Sequence, residues 1–132
     1  MIKKVSHIGL AVNNLKEASD FFRENFGFSI SDQESFGELI FSFVPFREGT
    51  DLELLQSTTP DGTIAKFIGN KGEGIHHISF EVDDIQAELD RLKEKGLRLI
   101  NEKPYPNAHG DLVAFIHPKS TFGILVELIQ PT

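Results

Sequence analysis

The chain contains no cysteine and no tryptophan, and only one methionine and one tyrosine. Without thiols there are no disulfides, no thiolate metal ligands and no cysteine nucleophile, so any metal is held by nitrogen and oxygen. No stretch approaches the ~20 consecutive apolar residues that a membrane-spanning helix requires. The opening Met1-Ile2-Lys3-Lys4-Val5 runs straight into a strand pattern, without an apolar signal segment or small-residue cleavage site. A cytoplasmic location is the expectation. Positive charge is also scarce: 13 Lys and Arg stand against 20 Asp and Glu, a net charge of -7. That balance argues against a nucleic-acid backbone or an anionic membrane as partner. A few local lysines can still receive a small anionic substrate. What remains is ordinary for a soluble globular protein, 39% hydrophobic and 25% charged. The length, 132 residues, suits one domain with a proper core.

What is present is an internal repeat. Val5-Ser6-His7-Ile8-Gly9-Leu10-Ala11-Val12 opens one half, and Ile75-His76-His77-Ile78-Ser79-Phe80-Glu81-Val82 opens the other. Both alternate with the period-two pattern of a strand with one face in a core. Amphipathic helical patterns follow from Asn14 to Phe26 and from Asp83 to Lys95, and each ends at a glycine, Gly27 or Gly96. Asn14 with Glu17, and Asp83 with Gln86, predict helix-capping pairs. Strands are expected at 28–31, 38–44 and 52–56 in the first half, and at 97–100, 112–117 and 124–129 in the second. The intervening 57–73 reads as a linker with one short helix around Ala65–Ile68. The expectation is one α+β domain over 1–132, built from two βαβββ modules at about 3–56 and 74–130, with helices outside curved sheets.

Each half also carries a glutamate within an apolar run, Glu53 in Leu52-Glu53-Leu54-Leu55 and Glu127 in Val126-Glu127-Leu128-Ile129. Strand parity sets His77, rather than His76, as the counterpart of His7, on the face opposite Ile78, Phe80 and Val82. Glu53 and Glu127 lie opposite their leucine neighbours. His7, Glu53, His77 and Glu127 thus occupy matching positions of the two copies, on the faces away from the helices. Two imidazoles and two carboxylates suit a borderline divalent ion, and four protein ligands leave positions for substrate oxygen or water. The same pattern is also consistent with four residues kept only by the fold.

The stretches His7-Ile8-Gly9-Leu10-Ala11-Val12, Ile64-Ala65-Lys66-Phe67-Ile68, Gly72-Glu73-Gly74-Ile75-His76-His77-Ile78 and Glu81-Val82-Asp83-Asp84-Ile85 carry a resemblance. So do Ala108-His109-Gly110 and His117-Pro118-Lys119-Ser120-Thr121. Over about residues 4–130 the chain resembles the vicinal oxygen chelate (glyoxalase/dioxygenase) superfamily, and within it the methylmalonyl-CoA epimerases. The resemblance implies a half-barrel mixed sheet around a metal, ligands at His7, Glu53, His77 and Glu127, and one divalent ion per chain. Zinc or cobalt is favoured, with nickel and manganese as alternatives. It implies an acyl-CoA or other thioester substrate, an enolate formed by removing the proton alpha to the thioester carbonyl, and a homodimer. Glu127 would double as a catalytic carboxylate.

The family's non-ligand glutamate falls on Ile40 here. Glu38, of the same parity and opposite Leu39, Phe41 and Phe43, is the candidate second catalytic carboxylate, or else an exposed strand-end charge. Lys119 and Ser120 are candidate substrate contacts or parts of a turn, and His109 is a substrate-facing or loop-ordering residue. The alternatives are a glyoxalase I-type lactoylglutathione lyase, which needs the same ligands, and a non-catalytic binding protein of the same fold.

Overall fold

The computed structural model describes residues Met1–Thr132, which divide into two compact units, His7–His76 and Met1–Ser6 with His77–Thr132. The element order is β1 (Ile2–Ala11), α1 (Leu15–Phe26), β2 (Glu34–Phe36), β3 (Leu39–Val44), β4 (Asp51–Ser57) and α2 (Thr63–Lys71). Then come β5 (Gly74–Val82), α3 (Ile85–Glu94), β6 (Tyr105–Pro106), β7 (Leu112–Ile116), a single 3-10 turn (Pro118–Ser120) and β8 (Val126–Gln130). Each half is therefore β-α-β-β-β, with α2 in the connection.

In the unit His7–His76 the strand order is β2-β3-β4-β1, with β1 parallel to β4 and the others antiparallel. One face packs on α1 through Leu10, Leu15, Ala18, Phe22, Ile40, Val44, Leu52 and Leu54. The opposite face packs on α2 through Ala11, Phe41, Phe43, Leu55, Ile64 and Phe67. In the other unit the order is β5-β8-β7-β6, again with one parallel pair, β5 with β8. Phe80, Val82, Ala114, Ile116 and Leu128 pack there against Ile85 and Leu89 of α3.

The two main helices start in the same way. Asn14 caps α1 by accepting the Glu17 N–H at 2.9 Å, and Gly27 ends it in the left-handed region at φ 70. Asp84 caps α3 by accepting the Ala87 N–H at 3.1 Å. The second cap is thus Asp84 and not Asp83, because Ile85 is the first helical residue and only Asp84 lies three residues before Ala87. A further hydrogen bond is duplicated. The Gln56 side-chain oxygen accepts the Leu15 N–H at 2.7 Å, and the Gln130 oxygen accepts the Ile85 N–H at 2.9 Å. Each glutamine lies three residues after its unit's glutamate, so the strand end that carries the carboxylate is tied to the start of the helix.

Two expected strands are displaced. Residues 28–31 are irregular and the strand is Glu34–Phe36; residues 97–100 contribute an isolated bridge, Leu99 to Ile116, and the strand is Tyr105–Pro106. The apolar signals at Phe28, Ile30, Leu97 and Leu99 report burial against the helix clusters, and burial does not require a ladder. Glu38 falls in the turn before β3, whose Gly37 has φ 59. The parity expected for β3 is inverted: Ile40 and Val44 face α1, whereas Phe41 and Phe43 face the side that carries Glu53. The run Leu39-Ile40-Phe41-Ser42-Phe43-Val44 is apolar on both faces, so alternation carries no information there.

Truncating Gln130 to alanine leaves the Ile85 N–H without its acceptor. Thermal or urea unfolding is expected to show a loss of about 1 kcal/mol, the ordinary net worth of such a bond, and Gln56→Ala should lose a similar amount. Ser79 is fully buried and its hydroxyl has no hydrogen-bond partner. Ser79→Ala should therefore raise stability, by about 1 kcal/mol from removal of a desolvated polar group, read as an increase in the urea midpoint.

Candidate functional site

His7 lies on β1 and Glu53 on β4, the strand beside it, in a register that pairs Gly9 with Glu53. Gly9 has no side chain to occupy the space next to that carboxylate. His7 Nε2 lies 3.4 Å from Glu53 Oε1, and both side chains are largely buried. On the other flank β3 pairs Phe43 with Glu53. The Phe43 ring meets the His7 imidazole edge to face, with centroids 6.5 Å apart and planes at 84°.

The second unit repeats this arrangement. His77 lies on β5 and Glu127 on β8, and Ser79, a small residue in the place of Gly9, pairs with Glu127. Phe115 of β7 pairs with Glu127 from the other side. Its ring meets His77 edge to face at 6.1 Å and 84°. His77 is 5% exposed and Glu127 8% exposed. Each unit thus supplies a histidine from its first strand, a glutamate from its last strand, a small residue between them and a phenylalanine that braces the imidazole. The two phenylalanines were not expected from the sequence; their positions three strands into each module are the only trace they leave.

A metal fits this donor set. Buried carboxylates and imidazoles without a counter-charge are costly, and buried charges are normally paired or bound to metal. An imidazole beside a carboxylate, as each unit offers, is a nitrogen and oxygen pair of the kind that zinc or cobalt accepts. The 3.4 Å between His7 Nε2 and Glu53 Oε1 is also close to the separation of two ligands about 2.1 Å from one ion at a tetrahedral angle.

Other expected residues are placed elsewhere. The Glu38 carboxylate accepts the Thr63 N–H at 3.0 Å and the Thr63 hydroxyl at 3.3 Å, so it caps the N-terminus of α2. His109 is exposed in a tight loop where its N–H donates to the Asn107 side chain at 2.9 Å. The Ser120 hydroxyl accepts the Arg98 N–H at 2.8 Å, and Lys119 is exposed. Tyr105 is the only tyrosine, and no motif in the sequence marks it. It lies on the β6 edge opposite Val113, and partial burial together with the charge of Glu127 holds its phenol above the usual range.

Known proteins bear on this geometry. The model of the Glyoxalase/Bleomycin resistance protein/Dioxygenase superfamily matches residues 6–115. The chain is 34% identical to the uncharacterized protein YqjC of Bacillus subtilis, over 98% of this chain and 94% of that protein. It is 40% identical to an ethylmalonyl-CoA/methylmalonyl-CoA epimerase of Cereibacter sphaeroides, over 98% of this chain and 99% of that protein. A solved structure of methylmalonyl-CoA epimerase in complex with methylmalonyl-CoA and NH4+ is 28% identical. It matches with a TM-score of 0.90, over 100% of this chain and 96% of that one. By sequence and by fold, the chain belongs to the glyoxalase/bleomycin resistance protein/dioxygenase superfamily and has the glyoxalase-like architecture of two βαβββ units.

Proposed function

We propose that this protein is a metal-dependent epimerase that inverts the carbon alpha to a thioester carbonyl, with methylmalonyl-CoA as its substrate. The observation that carries the reading is the duplicated histidine–glutamate arrangement in a chain 40% identical, nearly end to end, to an ethylmalonyl-CoA/methylmalonyl-CoA epimerase. The proposal gives His7, Glu53, His77 and Glu127 to a single divalent ion, zinc or cobalt. That ion would supply Lewis-acid polarisation of the substrate's carbonyl oxygen.

The chain's own residues supply the rest. Glu127, desolvated on β8, takes the proton from the alpha carbon, and the electron pair of the broken C–H bond passes into the enolate. Burial of Glu127, 8% exposed, limits the competition of water for the proton it takes. Phe43 and Phe115 meet the imidazoles edge to face and restrict their rotation. Return of a proton to the opposite face completes the inversion. Glu38 would have to leave its cap on Thr63 to deliver that proton.

Purified protein should contain about one divalent ion per chain by elemental analysis, the stoichiometry of a four-ligand site. His77→Ala should contain little under the same purification. Absence of metal from the wild type after loading with cobalt or zinc would remove the metal from the proposal. Incubated with methylmalonyl-CoA in deuterated water, the metal-loaded protein should place deuterium on the alpha carbon. Glu127→Gln should lower that exchange by roughly 10²–10⁴, the usual contribution of a positioned acid–base group. No exchange by the loaded wild type would overturn the epimerase reading.

A further inference from the structure

One buried hydroxyl makes no hydrogen bond within the fold. Ser79 is 0% exposed and its Oγ has no partner. Burying a hydroxyl without an acceptor destabilises a protein. Such groups are few in native structures, and each calls for a reason. Alanine would fill the same room in the strand without that penalty. The reason for a serine therefore lies outside the packing of β5.

Its place in the repeat supplies one. β5 and β8 run parallel and pair Ser79 with Glu127. Paired residues present their side chains on the same face, from strands about 4.8 Å apart. His77, two residues earlier on β5, shares that face. On the far side of Glu127, β7 contributes Phe115, whose side chain has no polar atom. The serine hydroxyl is thus a donor in register with this carboxylate, and an ionised carboxylate only accepts. A turn about the Cα–Cβ bond, from one staggered position to another, is all that a serine needs to meet a new acceptor. The other unit has no such group, because the residue paired with Glu53 is Gly9. The two copies of the module therefore differ at the position between histidine and glutamate. The hydroxyl belongs to the copy whose glutamate is assigned to proton removal.

We propose that Ser79 is a positioning residue for Glu127. When a divalent ion is bound, its hydroxyl donates to the Glu127 carboxylate and fixes the plane of that group for ligation and for proton removal. Ligating carboxylates are ordinarily held by an outer hydrogen bond of this kind. The inference rests on the reading of Glu127 as ligand and base given above. It makes the two glutamates unequal: Glu53, beside Gly9, is a ligand alone, and Glu127 is the one held for chemistry. The instability that the hydroxyl brings to the metal-free fold is the counterpart of its use in the loaded site.

The test compares wild type and Ser79→Ala by urea unfolding of the metal-stripped proteins and by titration calorimetry with zinc chloride. Without metal, Ser79→Ala should have the higher urea midpoint. Its affinity for zinc should nevertheless fall by about 10–100-fold, the usual effect of removing an outer hydrogen bond to a ligand. A residue that served only the packing would not move stability and affinity in opposite directions. In the exchange assay at saturating metal, Ser79→Ala should lower kcat and leave KM for methylmalonyl-CoA unchanged. Zinc affinity equal to that of the wild type overturns the proposal. So does a lower metal-free urea midpoint for Ser79→Ala, or a wild type that binds no zinc. Opposite shifts of stability and affinity in a protein that exchanges no alpha proton would sink the epimerase reading and leave this one standing. Exchange activity with unchanged zinc affinity in Ser79→Ala would do the reverse.

Discussion

In each unit, a parallel pair of strands carries a largely buried histidine and carboxylate on the face away from its main helix, and the surrounding structure accommodates that carboxylate. A glutamate among leucines and phenylalanines is costly to desolvate unless something of opposite charge or a hydrogen-bond donor meets it. In the unit His7–His76 the answer visible in the fold is the approach of His7 to Glu53 at 3.4 Å. That approach needs the parallel pairing of β1 with β4, and it needs Gly9 opposite Glu53 so that no side chain intervenes. The equivalent pairing of β5 with β8 sets Ser79 opposite Glu127. Small residues at these positions are consequences of where the carboxylates lie.

The helices hold these strands in place. Their N-terminal amides are met twice over, by an Asn or Asp cap and by a glutamine from the strand that bears the glutamate. The spacing from Glu53 to Gln56 equals that from Glu127 to Gln130, so one residue pattern aims the carboxylate to one face and closes the helix start on the other. An odd interval along a strand necessarily sends two side chains to opposite faces. The duplication therefore preserves a mechanical link as well as a histidine and a glutamate in each unit.

The fold and most of the candidate site were legible in the sequence, for a specific reason. Where one face of a strand is polar or small and the other is apolar, the period of two reads directly. That holds for His7 to Ala11 and His77 to Val82, and the faces expected there agree with the packing. It fails for Leu39 to Val44, apolar on both sides because α1 covers one face and α2 the other. The inverted parity of Ile40 follows from that, as does the expectation that Glu38 points away from Leu39, Phe41 and Phe43. Phe43 and Phe115 were invisible for a related reason. An aromatic ring that braces an imidazole has the same sequence signature as one that fills a core.

The sequence by itself determined the repeat, the helix caps within one residue, the nitrogen and oxygen character of any metal site, and the register of its four candidate ligands, because these depend on residue type and local periodicity. Tertiary structure decided which extended segments became ladder strands, that Glu38 serves α2, that Tyr105 lies on the β6 edge of the unit that holds Glu127, and that Phe122 is held outward in a strained turn. Each of these depends on hydrogen bonds or charges between residues distant along the chain or on a backbone angle imposed by closure of a turn. No local pattern of side chains encodes such partners.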